Sequence, residues 1–301
     1  MIQEQSREPA RVIGVIGGSG VYQLDGLANT SWRKVDSPFG APSDELLFGE
    51  LDGQKLVFLP RHGRGHRLPP SAVNFRANLD ALKRVGCTEI ISVSAVGSLK
   101  EALAPGMFVL VDQFIDRTFA REKSFFGPGL VGHVSMAKPV CHRLGEHLAR
   151  AGALNGIAIA RGGIYLAMEG PQFSTLAESE LYRRWGCDVI GMTNMPEAKL
   201  AREAELCYAT VAMVTDYDCW HPHHDHVTVE TVIKVLLANA ETARRLIAAA
   251  VPLMRGDRPN PCPQGCQRAL DSALITAPEA RDAAMLAKLE AVAGRVLAKQ
   301  R

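Results

Sequence analysis

The most constraining stretch is Cys207-Tyr-Ala-Thr-Val-Ala-Met-Val214, which runs straight into Thr215-Asp216-Tyr217-Asp218. Eight residues without a charge, rich in β-branched side chains, read as a strand buried on both faces. Such strands belong to α/β sheets, whose ligands sit outside the carboxyl ends of the strands. Extended backbone sends residues two apart to one face, so Asp216 and Asp218 are expected to point the same way. Two carboxyl groups in one sheltered pocket do not both ionise easily, so the pair can offer a donor acid beside an acceptor carboxylate. The plainer reading, an acid-rich turn in water, is equally open from the spacing alone.

Other apolar runs repeat the pattern. Arg11–Ile16 leads into Gly17-Gly-Ser-Gly20, and Leu56–Leu59 into Pro60-Arg61-His62-Gly63. Ile90–Val96 leads into Gly97-Ser98, Met107–Val111 into Asp112–Thr118, and Gly163–Met168 into Glu169-Gly-Pro171. Asp188–Met192 forms a short strand ending at Thr193. Between them helical spacing covers 71–84, with Ser71 as cap, then 139–152, 175–185, 196–205 and 227–254. Alternating strands and helices without an internal repeat predict one α/β domain over 11–254. Residues 255–301 form a C-terminal extension, a Pro/Gly-rich turn followed by an Ala-rich, peripheral helix.

A glycine-rich turn after a first strand suggests a dinucleotide fold, but the third glycine position of that fingerprint holds Gln23. Arg61 supplies a planar fork for an anion and His62 another donor. The net charge of +2 makes no case for nucleic acid or a membrane surface. With no membrane-length apolar run and a charged Met1–Arg11, a cytoplasmic protein is expected. Seven scattered cysteines predict reduced core thiols. Cys262-Pro-Gln-Gly-Cys266 reads as a turn or a disulfide clasp, one pair being too few for zinc by itself. The loop His221–His226 reads as a polar loop, because no helical frame fixes its histidines as metal ligands.

Taken together and in order, Ile16–Gly20, Ser37–Gly40, Arg61–Gly63, Ser94–Gly97, Asp112–Thr118, Glu169–Pro171 and Thr215–Trp220 resemble the trimeric purine nucleoside phosphorylase family. Within it they are most similar to members acting on S-methyl-5′-thioadenosine. The resemblance implies a single-domain fold, a mixed central sheet partly closed into a barrel and flanked by helices, assembled as a homotrimer or dimer of trimers. It implies phosphorolysis, with inorganic phosphate as co-substrate, no other cofactor and no metal, yielding adenine and 5-methylthioribose 1-phosphate for methionine and purine salvage. The implied phosphate site is Ser19, Arg61, His62, Ser94, Ala95 and Thr193, with serines at 19 and 94 where many relatives carry threonine. Met192 falls at the ribose, and Phe173 with Ser174 at the base. Asp216 and Asp218 are the catalytic and purine-reading acids, since family members for 6-oxopurines have Asn at position 216. Val229 stands where relatives that take ordinary nucleosides place a histidine, and with Val232 and Ile233 it predicts an apolar methylthio pocket. His133 is the candidate residue lent by an adjacent subunit. The competing readings are a 6-oxopurine or methylthioinosine phosphorylase, a nucleoside hydrolase, and a non-catalytic nucleotide-binding module.

Overall fold

The computed structural model describes residues 11–18, 20–222, 229–255 and 262–298, without the side chains of 229–232 and 234. Ser19, residues 223–226 of the histidine loop and the side chains of Val229 and Val232 therefore lie outside the described residues. Four parallel strands form the frame: β1 (Val12–Gly17), β4 (Gln54–Pro60), β5 (Cys87–Ser98) and β11 (Cys207–Asp216). Each is buried almost throughout, which is why their sequences read as largely apolar runs, with buried polar residues such as Glu89, Ser92 and Thr210 among them. β5 is the longest, and there the sheet branches. It pairs with β1 on one edge and β11 on the other, then with the antiparallel β10 (Val189–Gly191) at its far end.

The antiparallel β2 (Ala28–Arg33) and β3 (Leu46–Leu51) extend the sheet beyond β4. On the other side, β9 (Ile164–Ala167) continues it from β10 to β7 (Gln113–Asp116), while β6 (Phe108–Val111) and β8 (Ile159–Arg161) follow β11. Among the described residues the result is a mixed sheet of eleven strands flanked by helices. The short β2, β3, β7 and β8 are not legible as strands in the sequence. β2 has mostly exposed side chains, and β7 and β8 contain too few residues to show a period.

Alternate residues of the strands feed two cores. Ile13, Val15, Phe58, Val93 and Val211 face α2 (His142–Leu154) and α5 (Val229–Met254). Ile16, Leu59, Ile90 and Tyr208 face α1 (Phe75–Arg84) and α4 (Asn194–Glu203). Asn74 caps α1, accepting from the Ala77 amide at 3.1 Å, so the cap lies three residues after the expected one. Ser71 lies instead in a 3₁₀ turn and donates to Glu169. Thr175 and Glu178 close a reciprocal capping box on α3 (Leu176–Arg184).

The C-terminal helix is neither single nor peripheral. It breaks into α6 (Ala283–Lys288) and α7 (Glu290–Leu297), and Leu289, Val292, Ala293 and Val296 are buried in the second core. Alanine-rich composition hides this, because small residues suit close helix packing as well as they suit solvent. Among the described residues no helix is long and apolar enough to cross a membrane.

Candidate active site

Because β1, β4, β5 and β11 are parallel, their carboxyl ends open on the same edge of the sheet. A cavity of about 550 Å³ lies there, within the range of small-molecule sites. Its wall includes Gly18 after β1, Arg61 and His62 after β4, Ser94–Gly97 on β5, Met192 and Thr193 after β10, Asp216 at the end of β11 and Asp218 just beyond it.

One pole is built for an anion. Ser94 Oγ lies 2.8 Å from Thr193 Oγ1 and 3.2 Å from the buried Tyr165 hydroxyl. Gly191 makes this cluster possible, since a Cβ there would stand 2.0 Å from the Tyr165 oxygen. Arg61 is buried, and its fork is already engaged. Nε and Nη2 meet the Glu197 carboxylate at 2.8 and 3.1 Å, Nη2 also reaches Ser92 Oγ, and Nη1 donates to the Val93 carbonyl. Only one Nη1–H remains for the cavity, so the full fork expected from the sequence is not free. Ser92, Tyr208 and Asn194 complete the hydrogen-bonded network around Glu197.

His62 has its Nδ1 2.8 Å from the Leu68 carbonyl, which can only accept, so Nδ1 carries the hydrogen. Burial, and secondly the Arg61 charge, hold its pKa down at about 4. The ring is therefore neutral near pH 7, which leaves Nε2 an acceptor rather than the donor expected from the sequence. The linkage has a definite sign. A histidine whose pKa falls from 6.5 to about 4 on folding leaves the unfolded chain holding more protons between those values, so stability is complete above pH 6.5 and is lost as pH falls toward 4. The contribution is about 3 kcal/mol. In His62→Gln the melting temperature should decline less over that window; an identical decline in thermal scans of the two proteins would mean that His62 is not buried in its neutral form.

The acids form the other pole. Asp216 ends β11, accepting from Thr215 Oγ1 at 2.7 Å and from the Asp218 amide at 2.8 Å. Burial, reinforced by the Asp218 charge, raises its pKa against those two hydrogen bonds. Burial also raises that of Asp218, against hydrogen bonding from Ser179, the Cys219 amide and Ser174. The two acids do not share a strand face, as simple alternation suggests. Asp218 lies past the strand end at φ 51°, in the left-handed region that Asp tolerates, and this turn swings it beside Asp216. Gly97 makes the room: a Cβ there would stand 2.8 Å from Asp216 Oδ1 and 3.3 Å from Asp218 Cβ.

One cavity thus combines a hydroxyl-lined pole with a protonatable acid pair. The phosphorylase superfamily model matches residues 12–252. The chain belongs to the phosphorylase superfamily. An S-methyl-5′-thioadenosine phosphorylase of Rhodospirillum rubrum is 65% identical over 98% of this chain and 100% of its own. One from Cereibacter sphaeroides is 63% identical over 95% and 98%. Among solved structures, a methylthioadenosine phosphorylase from an antarctic soil metagenomic library superposes with TM-score 0.88 at 48% identity, covering 95% of this chain and 99% of that one. The Schistosoma mansoni enzyme in complex with adenine gives 0.81 at 36%, covering 88% and 99%.

Within this phosphorylase fold, Arg61, His62, Ser94, Ala95, Thr193, Phe173, Met192, Asp216 and Asp218 share one cavity. Ser174 lies just behind it, its Oγ 3.7 Å from Met168 Sδ. Ile233 is half-exposed and outside the lining, whereas Leu236 and Ala240, farther along α5, line the cavity. His133 lies in a separate surface cavity with Lys123, Lys199 and Glu203. Three residues escape sequence reasoning. Glu197 looks like an ordinary helix-surface acid, and Tyr165 like one more strand aromatic. Arg121 stands in a loop without pattern, yet its buried guanidinium binds the carbonyls of Met192, Met195 and Glu169 and so ties two cavity loops together.

Proposed function

We propose that the protein cleaves S-methyl-5′-thioadenosine with phosphate, releasing adenine and 5-methylthioribose 1-phosphate. The observation that carries this reading is the acid pair with raised pKa at one end of a cavity whose other end is a hydroxyl-lined anion pole. Phosphate is held by the hydroxyls of Ser94 and Thr193, by Ala95, by His62 Nε2 and by the remaining Nη1–H of Arg61, with Ser19 as a further contact. It attacks C1′ as the C1′–N9 bond breaks, and the bonding electrons pass to the purine. Protonated Asp216 gives its proton to N7 and becomes a carboxylate, while the Asp218 carboxylate accepts from the 6-amino group. Phe173 and Ser174 border the base and Met192 the ribose. The phosphate anion itself stabilises the cationic sugar.

The 5′ substituent meets Leu236 and Ala240 of α5, which follow Val229, Val232 and Ile233 in the sequence. The proposal includes a homotrimer, or a dimer of trimers, in which His133 reaches a neighbouring site. The exposed Phe119 and Val131, in and beside the same loop, suit a covered interface. It also places the enzyme in the cytoplasm, in methionine salvage, which suits seven cysteines with no disulfide among them. Residues 11–254 would form the phosphorylase domain and 255–301 its extension.

A substrate panel with and without phosphate tests the reading. Base release should require phosphate, and kcat/KM should be at least about tenfold higher for S-methyl-5′-thioadenosine than for adenosine, whose 5′-hydroxyl finds no partner in an apolar pocket. Release without phosphate would make the protein a hydrolase, and equal use of both nucleosides would remove the methylthio pocket.

A further inference from the structure

The Cys262–Cys266 turn does not stand alone. It brings its two thiols against Cys141, which precedes α2, and Cys207, the first residue of β11. All four are buried, and their Sγ atoms lie within 4.8 Å of one another. Cys141 and Cys262 are 3.7 Å apart, and Cys262 and Cys266 are 3.8 Å apart. A tetrahedron of thiolates around Zn²⁺, with Zn–S near 2.3 Å, has edges of about 3.8 Å. The geometry points to a structural zinc site formed by Cys141, Cys207, Cys262 and Cys266.

The surroundings suit that ion. Gly265 adopts φ 65° and its amide donates to the Cys262 carbonyl at 2.7 Å, folding the five-residue segment so that both sulfurs face inward. Arg143 Nη2 lies 3.8 Å from Cys207 Sγ, and Cys141 sits at the positive N-terminal end of a 13-residue helix. Both offset the net −2 charge left when four S–H protons depart and Zn²⁺ enters. Four protein ligands leave no open position, so the ion would bind no substrate. The acid pair is nine residues along β11, about 30 Å away in an extended strand. The site instead fastens the C-terminal segment to the sheet, as the Gln264 side chain does by accepting from the His142 amide at 2.6 Å.

The test is metal analysis of the untagged, full-length protein purified without chelator. About one zinc per chain is expected, falling below roughly a fifth of that in Cys262→Ser/Cys266→Ser. Exchange with Co²⁺ should give the thiolate charge-transfer and tetrahedral d–d absorption of a four-sulfur site. Since the double variant can fail to fold, Cys266→His serves as the conservative partner, keeping four ligands and hence the zinc. A chain without metal whose seven thiols all titrate overturns the assignment. So does one in which these cysteines are joined as disulfides, or one that carries iron in place of zinc.

Discussion

Asp216→Asn should lower kcat for S-methyl-5′-thioadenosine by about 10²–10⁴-fold, with a much smaller effect on KM. The amide keeps a donor of similar size for N7, so the base can still be held, but it has no proton to release to the departing purine. Asp216 is suited to the acid's part because burial and the neighbouring Asp218 raise its pKa, keeping the proton on in a range where an exposed aspartate has lost it. Above that raised pKa the acid form is depleted, so the parent's kcat should fall on the alkaline side, and this limb should vanish in the variant. The amide can also adapt to a 6-oxo acceptor, shifting relative use toward methylthioinosine, although Asp218 limits the gain by facing that oxygen with a carboxylate. The measurement is kcat/KM for both nucleosides across pH in both proteins. An unchanged adenine-nucleoside rate with an unchanged substrate ratio would rule out Asp216 as the acid.

Arg61→Ala is expected to damage both stability and phosphate use, and the two losses can be separated. The guanidinium is the counter-charge of the buried Glu197, so removing it leaves a carboxylate without compensation at a cost of about 3–5 kcal/mol. For a chain of this size the melting temperature should fall by roughly 10 °C. It also removes the charge beside the anion pole, so kcat/KM for phosphate should drop by about 10²-fold or more. Arg61→Ala/Glu197→Ala removes the orphaned acid as well, and should regain much of the stability without regaining phosphate use. Full recovery of both, seen in thermal melts and phosphate titrations, would leave Arg61 a structural residue only.

The frame was legible from the chain alone. Strands buried on both faces are built mostly of apolar residues, so β1, β4, β5 and β11 were plain to read. Polar residues at their ends, such as Arg61, Ser94 and Asp216, then had to collect wherever parallel strands bring their carboxyl ends together. Residues one after another in the chain also reveal local signals, as with the Thr175–Glu178 cap.

Contacts between distant segments emerge only in the folded chain. Glu197 is 136 residues from Arg61 and spends the fork that sequence reasoning left free for phosphate. Asp218 joins Asp216 through a left-handed turn, a backbone choice that the alternation of strand side chains does not encode. Cys141 and Cys207 complete the thiol cluster from elements 66 residues apart, so the 262–266 pair by itself gave no sign of four ligands. The physical reason is the same throughout. Burial of an apolar run is a local property with a period, whereas the partner of a polar group is set by which chain ends the sheet order places side by side.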